Sequence, residues 1–328
     1  MRVCHRPPRR DRPSRNRGTT RLRIVACHAV VASMLVAGEA AAQNRPEVMA
    51  FPPDLTGYMR MGVVFHENFF QATDDDERRD VMAGVLELRA EEKLGRTDAY
   101  RADLRADVYR FQRLGTSPGV MVGVRKVQGV SQFSVSAIGQ WRRPRFDHGD
   151  ELEQANILGG AGTYSVKVAR PLELVALGEY SHDWLQLNAD LQGLSYDAGA
   201  AVRVRTFGHR VTFEIGRLVG ARDLNGVQQY ANRTDYVVVR TTAIPRTYLS
   251  VRYRNRFRDY ATDDPDASNY RREDRRRQVT AYLDISVGRN LVWNLSGGFE
   301  QADSTRPGRG FRSRQLGSTL SMVLPPEW

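Results

Sequence analysis

The sequence predicts an all-β chain, a transmembrane antiparallel up-and-down β-barrel of about 14 strands, with 12 or 16 as the alternative even counts. Three observations carry that prediction. Apolar and polar residues alternate with period two from Gly57 to the C-terminus, where a helix would show a period of 3.6. There is no long amphipathic helix, and no apolar run of 18 or more residues suits a membrane-spanning helix. Connections between the strand segments alternate between tight and long, the asymmetry of an outer-membrane barrel.

The chain opens with an Arg-rich stretch that leads into the apolar run Ile24 to Ala37. That run is too short to span a bilayer, and it ends in Ala40-Ala41-Ala42, a small-x-small cleavage pattern. Residues 1–42 therefore read as a cleaved signal peptide, 43–56 as a periplasmic N-terminal segment and 57–328 as the barrel. Both cysteines, Cys4 and Cys27, fall in the leader, which excludes a disulfide scaffold or a multi-cysteine metal site. The formal net charge of +11 would suggest nucleic acid as a partner. Nine of the arginines lie in residues 1–42, against only Asp11 and Glu39, so the rest of the chain is close to balanced and nucleic acid is not expected. With 41% hydrophobic and 27% charged residues, the chain is too polar for a helical membrane bundle and too apolar for disorder.

Turn signals divide the barrel into segments 57–70, 80–92, 98–112, 118–127, 130–142, 153–168 and 172–184. They continue as 194–206, 209–220, 230–243, 246–260, 276–288, 291–302 and 312–324. Tyr100-Arg101-Ala102-Asp103-Leu104-Arg105-Ala106-Asp107-Val108 is the clearest, apolar at every even position and charged at every odd one. After even-numbered segments the connections are tight, as in Gln128-Gly129 and Ile244-Pro245. After most odd ones they are long and polar, as in Ala72 to Arg79, Arg143 to Leu152, Thr262 to Arg275 and Asp303 to Gly310. This places both termini on the periplasmic side. Tyr58, Trp141, Tyr180, Trp184, Tyr260 and Trp293 lie near strand ends, where interfacial girdles are expected. The final Trp328 fits an assembly signal, although Pro325 and Pro326 break the strand before it.

The segment Phe65-His66-Glu67-Asn68-Phe69-Phe70-Gln71-Ala72-Thr73, followed by an acidic loop and the paired strands Val81 to Glu91 and Tyr100 to Phe111, resembles the second family of β-barrel porins of proteobacterial outer membranes. His66-Glu67-Asn68 stands where that family commonly has an aromatic and two acidic residues. The resemblance implies an outer-membrane channel and an association with exopolysaccharide export.

If the apolar set faces lipid, the opposite set lines the lumen. The candidate lining residues are Glu87, Arg89, Arg101, Asp103, Arg105, Asp107, Arg203, Arg205, Arg252, Arg254, Arg256 and Glu300. Arg252, Arg254 and Arg256 with Arg203 and Arg205 form a candidate basic ladder for anions, which Glu87, Glu91, Asp103 and Asp107 could cancel across the lumen. No nucleophile elbow, zinc motif or phosphate loop occurs. Gly159-Gly160-Ala161-Gly162 lies in a strand and lacks the phosphate-loop lysine, and reads as strand bending or close contact. His182-Asp183, and His148 with Asp147 and Asp150, are placed in extracellular loops as solvated residues. No catalytic residues, cofactor or metal are expected. The expected function is a channel for hydrophilic solutes in the Gram-negative outer membrane. Its expected partners are outer-membrane lipid, lipopolysaccharide, the barrel-assembly machinery, and polysaccharide or small solutes. The alternative is a non-transporting structural or adhesion barrel whose extracellular loops bind partners.

Overall fold

The computed structural model describes residues 55–67, 80–94, 100–112, 114–146, 152–185, 192–224, 227–260, 272–306 and 310–324. The leader, His148 with its neighbouring aspartates, the segment 261–271, and Trp328 lie outside the described residues. The strands are β1 (Leu55–Glu67), β2 (Val81–Leu94), β3 (Tyr100–Phe111), β4 (Gly115–Gln128), β5 (Ser131–Phe146), β6 (Leu152–Lys167) and β7 (Leu172–Leu185). The remainder are β8 (Gly193–Thr206), β9 (Val211–Leu224), β10 (Val227–Thr241), β11 (Thr247–Asp259), β12 (Glu273–Ser286), β13 (Leu291–Ser304) and β14 (Phe311–Leu324). Each pairs antiparallel with its sequence neighbours, and β1 closes on β14 from Gly57↔Leu324 to Glu67↔Arg314. The result is a closed 14-strand barrel with no sheet edge.

The period-two pattern fixes which face each side chain takes. Outward residues on β12 run Val279, Ala281, Leu283 and Ile285, and in register they meet Tyr253, Val251, Leu249 and Thr247 of β11. Large apolar side chains stand exposed all round the barrel, including Leu104 on β3 at 50% and Ile215 on β9 at 62%. A soluble barrel would bury such residues; here a continuous apolar band faces outward. Trp141, Tyr180, Trp184 and Trp293 share that outer face. Tyr58 and Tyr260 do not belong to the predicted girdle: Tyr58 lies beneath the inward Arg89, and Tyr260 is buried against Tyr230 and Arg272. Their positions one residue out of phase with the apolar set decide the matter.

Strand lengths differ from expectation mainly at the ends opposite the tight turns. β5 continues to Phe146 through a bulge between Gln140 and Arg143, where Arg142 takes φ 52° and Asn156 accepts its backbone N–H. β9 reaches Leu224, β10 starts at Val227 and β12 starts at Glu273. The β9–β10 and β3–β4 connections are therefore short despite following odd strands, which makes the alternation of loop lengths less regular than predicted. At the other end the turns are tight throughout the described residues. The β8–β9 turn places Phe207, Gly208 and His209 all at positive φ.

Gly160 lies under the Tyr180 ring of β7, and Gly216 under the Tyr236 ring of β10; a methyl group at either position would meet the ring at 2.7 Å. The Gly159 to Gly162 run is thus interior to β6, where it admits close packing of its neighbours.

Candidate pore lining

The residues opposite the apolar band form three chemically different walls. On β1–β4 acid and base alternate in layers. Glu87 and Asp107 are register partners, the next inward row pairs Arg89 with Arg105, and the next pairs Glu91 with Asp103. Each layer neutralises the one beside it. Arg89 grips Asp103 through Nε at 2.8 Å and Nη2 at 2.6 Å, a bidentate fork. Arg105 bridges Asp107 at 2.9 Å and Glu87 at 3.3 Å, and Glu87 also meets Arg60 at 2.6 Å. Arg101 and Arg125 share Glu91 at 3.0 and 3.7 Å. The inner face of β4 makes room for this layer with Gly119, where an added Cβ would strike Asp107.

The second wall spans β7–β10. Glu173, Arg203 and Glu214 occupy one register row, and Arg240 stands one inward position away, opposite Thr212. Arg203 donates to Glu214 at 2.9 Å and to Glu173 at 3.2 Å; Arg205 also reaches Glu173 at 3.2 Å, and Arg240 reaches Glu214 at 3.0 Å. Arg203 and Arg205 are therefore held in a neutralising cluster and do not extend the basic ladder as expected. Likewise Glu87, Glu91, Asp103 and Asp107 pair along the wall, within their own strand or with strands one or two away, rather than across the lumen. Further along β7, Asp183 is 1% exposed and accepts from Arg222 at 2.9 Å. The expectation that His182-Asp183 occupies a loop is corrected: both are in β7, Asp183 inside and His182 outside, its ring tilted against that of Trp184.

The third wall is β11–β12. Arg252, Arg254, Arg256 and Arg258 are the inward residues of the second half of β11. Across β10 and β12, the register neighbours of Arg254 are Tyr236 and Gln278, and those of Arg256 are Thr234 and Arg276. Arg256 Nε donates to Thr234 Oγ1 at 3.2 Å. Both guanidiniums interact electrostatically with Glu179 of β7, and Arg256 also with Asp197 of β8. Between those strands and β11 lie Gly199, Gly216 and Gly220, inward positions without side chains. Glu300, the remaining predicted lining residue, lies inward on β13 at 3.7 Å from Arg276.

Sequence reasoning missed Arg258, Arg276, Glu214 and Asp183. All four lie within segments predicted as strands, so their phase was readable; the register that pairs them with neighbouring strands was not. Near the end of β11, Arg258 stacks on Tyr230 at 4.7 Å and Arg272 on Tyr260 at 4.4 Å. Arg272 also forks onto Asp274 at 2.8 and 2.6 Å. This network fastens the base of the β11–β12 connection. Among the described residues, no group of three or more His, Cys, Asp or Glu is placed to hold a metal ion.

No family model matches the sequence. No curated protein matches it either. Solved structures with similar chains include a Pseudomonas aeruginosa FadL homologue, at 9% identity and TM-score 0.46 over 86% of this chain and 93% of that one. The outer membrane channel DcaP of Acinetobacter baumannii gives 11% identity and TM-score 0.44 over 83% and 96%. An anion-selective porin from Comamonas acidovorans gives 10% identity and TM-score 0.42 over 82% and 98%. At these values the case for function rests on this chain's own residues.

Proposed function

We propose that this chain is an outer-membrane channel of the porin type that passes hydrophilic solutes. In this reading it is exported on a signal peptide cleaved after Ala42. The tight turns face the periplasm, and the band of exposed apolar side chains contacts lipid and lipopolysaccharide.

The observation that carries the reading is the two-faced wall, apolar outside and charged inside, with the inner charges on β1–β4 and β7–β10 paired sideways along the wall. Fourteen strands at ordinary spacing and tilt close with a backbone radius of about 14 Å, and an extended arginine spans about half of that. Sideways pairing at that radius leaves the axis to water. The family resemblance adds a narrower proposal, membership of the second β-barrel porin family and export of a polysaccharide.

Reconstitution of the mature chain in planar bilayers tests the channel. Stepwise conductance is expected. A barrel that inserts and stays silent would overturn the proposal in favour of a structural or adhesion role. Deleting the gene tests the narrower one, since unchanged extracellular polysaccharide would remove the export role while leaving the channel standing.

A further inference from the structure

The inward arginines of this barrel fall into two kinds. Those on β2, β3 and β8 bind carboxylates on the same or an adjacent strand at 2.6 to 3.3 Å. Arg254 and Arg256 on β11 are flanked in register by Tyr236, Gln278, Thr234 and Arg276, a set without a carboxylate. Their acidic counterparts, Glu179 and Asp197, lie four and three strands away and are reached over a strip of glycines. The ladder Arg252, Arg254, Arg256, Arg258 repeats like charge at every second residue, about 6.8 Å apart along the strand. Arg276 adds a further cation beside Arg256. Stacking like charges raises the energy of the empty wall, so their alignment calls for an anion that engages several at once.

The neighbouring wall supports this. The inner faces of β13 and β14 carry several short residues, among them Ser296, Gly298, Gly317 and Ser321, beside the longer Glu300 and Gln315, so part of the space beside the ladder is open. A single small anion touches one or two rungs. An extended chain with negative groups spaced along it can meet successive guanidiniums while the adjoining Tyr236 and Gln278 supply polar contacts.

We propose that the β11 ladder is a binding track for an extended oligoanion, a chain carrying carboxylate or phosphate groups along its length. This rests on the barrel being a channel, and the test separates the two. Single channels of the mature protein are recorded in potassium chloride with hexameric oligogalacturonate, neutral maltohexaose or citrate added to one side. Oligogalacturonate is expected to interrupt the current with resolved dwell times, at concentrations at least tenfold below those at which citrate does so. The R254Q/R256Q variant is expected to shorten those dwells about tenfold, and R254K/R256K to restore much of them. R312Q, on the outer face, is expected to leave them unchanged. Heat-modifiable electrophoretic mobility establishes that each variant is folded. Equal blockade by maltohexaose or citrate, or dwells unaltered in R254Q/R256Q, would overturn the track while the channel stands. Absence of conductance would overturn both.

Discussion

Asp183 shows how much of the inner wall is fixed by single contacts. It is 1% exposed, and Arg222 donates to it at 2.9 Å while also approaching Ser195 at 3.4 Å. Removing one member of an enclosed ion pair leaves the other charge without its counter-ion, which costs about 3 kcal/mol in such settings. D183A is therefore expected to lower the unfolding free energy in vesicles by that order, and R222M in the same background to recover more than half of it. Strictly additive losses in urea titrations would contradict the pairing. This contact could not be read from the chain. His182-Asp183 looks like a loop dipeptide although the segment 172–184 already contains it, and nothing in the chain pairs Asp183 with Arg222, two strands away.

At the scale of the strands, most of the architecture was legible because an alternating sequence specifies both a strand and its faces. Tyr100 to Val108 is the case in point: one-residue phase assigns Arg101, Asp103, Arg105 and Asp107 inward, and the structure places them there. What phase cannot supply is register between strands. Arg203 and Arg252 look alike in sequence, yet the immediate register neighbours of Arg203 are Glu173 and Glu214, and those of Arg252 are Val238 and Thr280. Glycines reveal where strands press closest. At Gly220 of β9 an added Cβ would lie 2.8 Å from the Tyr196 carbonyl carbon and closer still to its oxygen, whereas at Gly84 of β2 it meets nothing within 4 Å. Backbone cannot retreat as a flexible side chain can, so G220A is expected to destabilise the barrel by about 1–3 kcal/mol. G84A should be neutral or slightly stabilising, since the outward strand position loses glycine's entropy cost. Comparing the temperatures at which the two variants lose compact electrophoretic mobility checks this. A larger effect at Gly84 would mean that the β8–β9 contact is not as close as described.

For the whole molecule, charge has to be judged by where it sits. Outside the leader the chain carries 40 basic and 36 acidic residues, from totals of 49 and 38 less nine arginines and two acids. That small excess says little by itself, because much of the inner charge is neutralised in β1–β4 and β7–β10. Selectivity should then be decided by β11, whose second half presents four arginines and no carboxylate to the lumen. Reversal potentials across a potassium chloride gradient are expected to show preference for chloride at about 0.1 M. There the screening length of about 10 Å is comparable to the lumen radius. Near 1 M, where it shrinks to about 3 Å, the preference should weaken markedly. R254Q/R256Q should move the low-salt reversal potential toward zero or into cation preference, whereas R203Q/E214Q, which removes one charge of each sign from the paired cluster, should move it little. If the second variant shifted the potential as far as the first, the controlling charge would lie on β8–β9, and the distinction between neutralised and laddered arginines would fail.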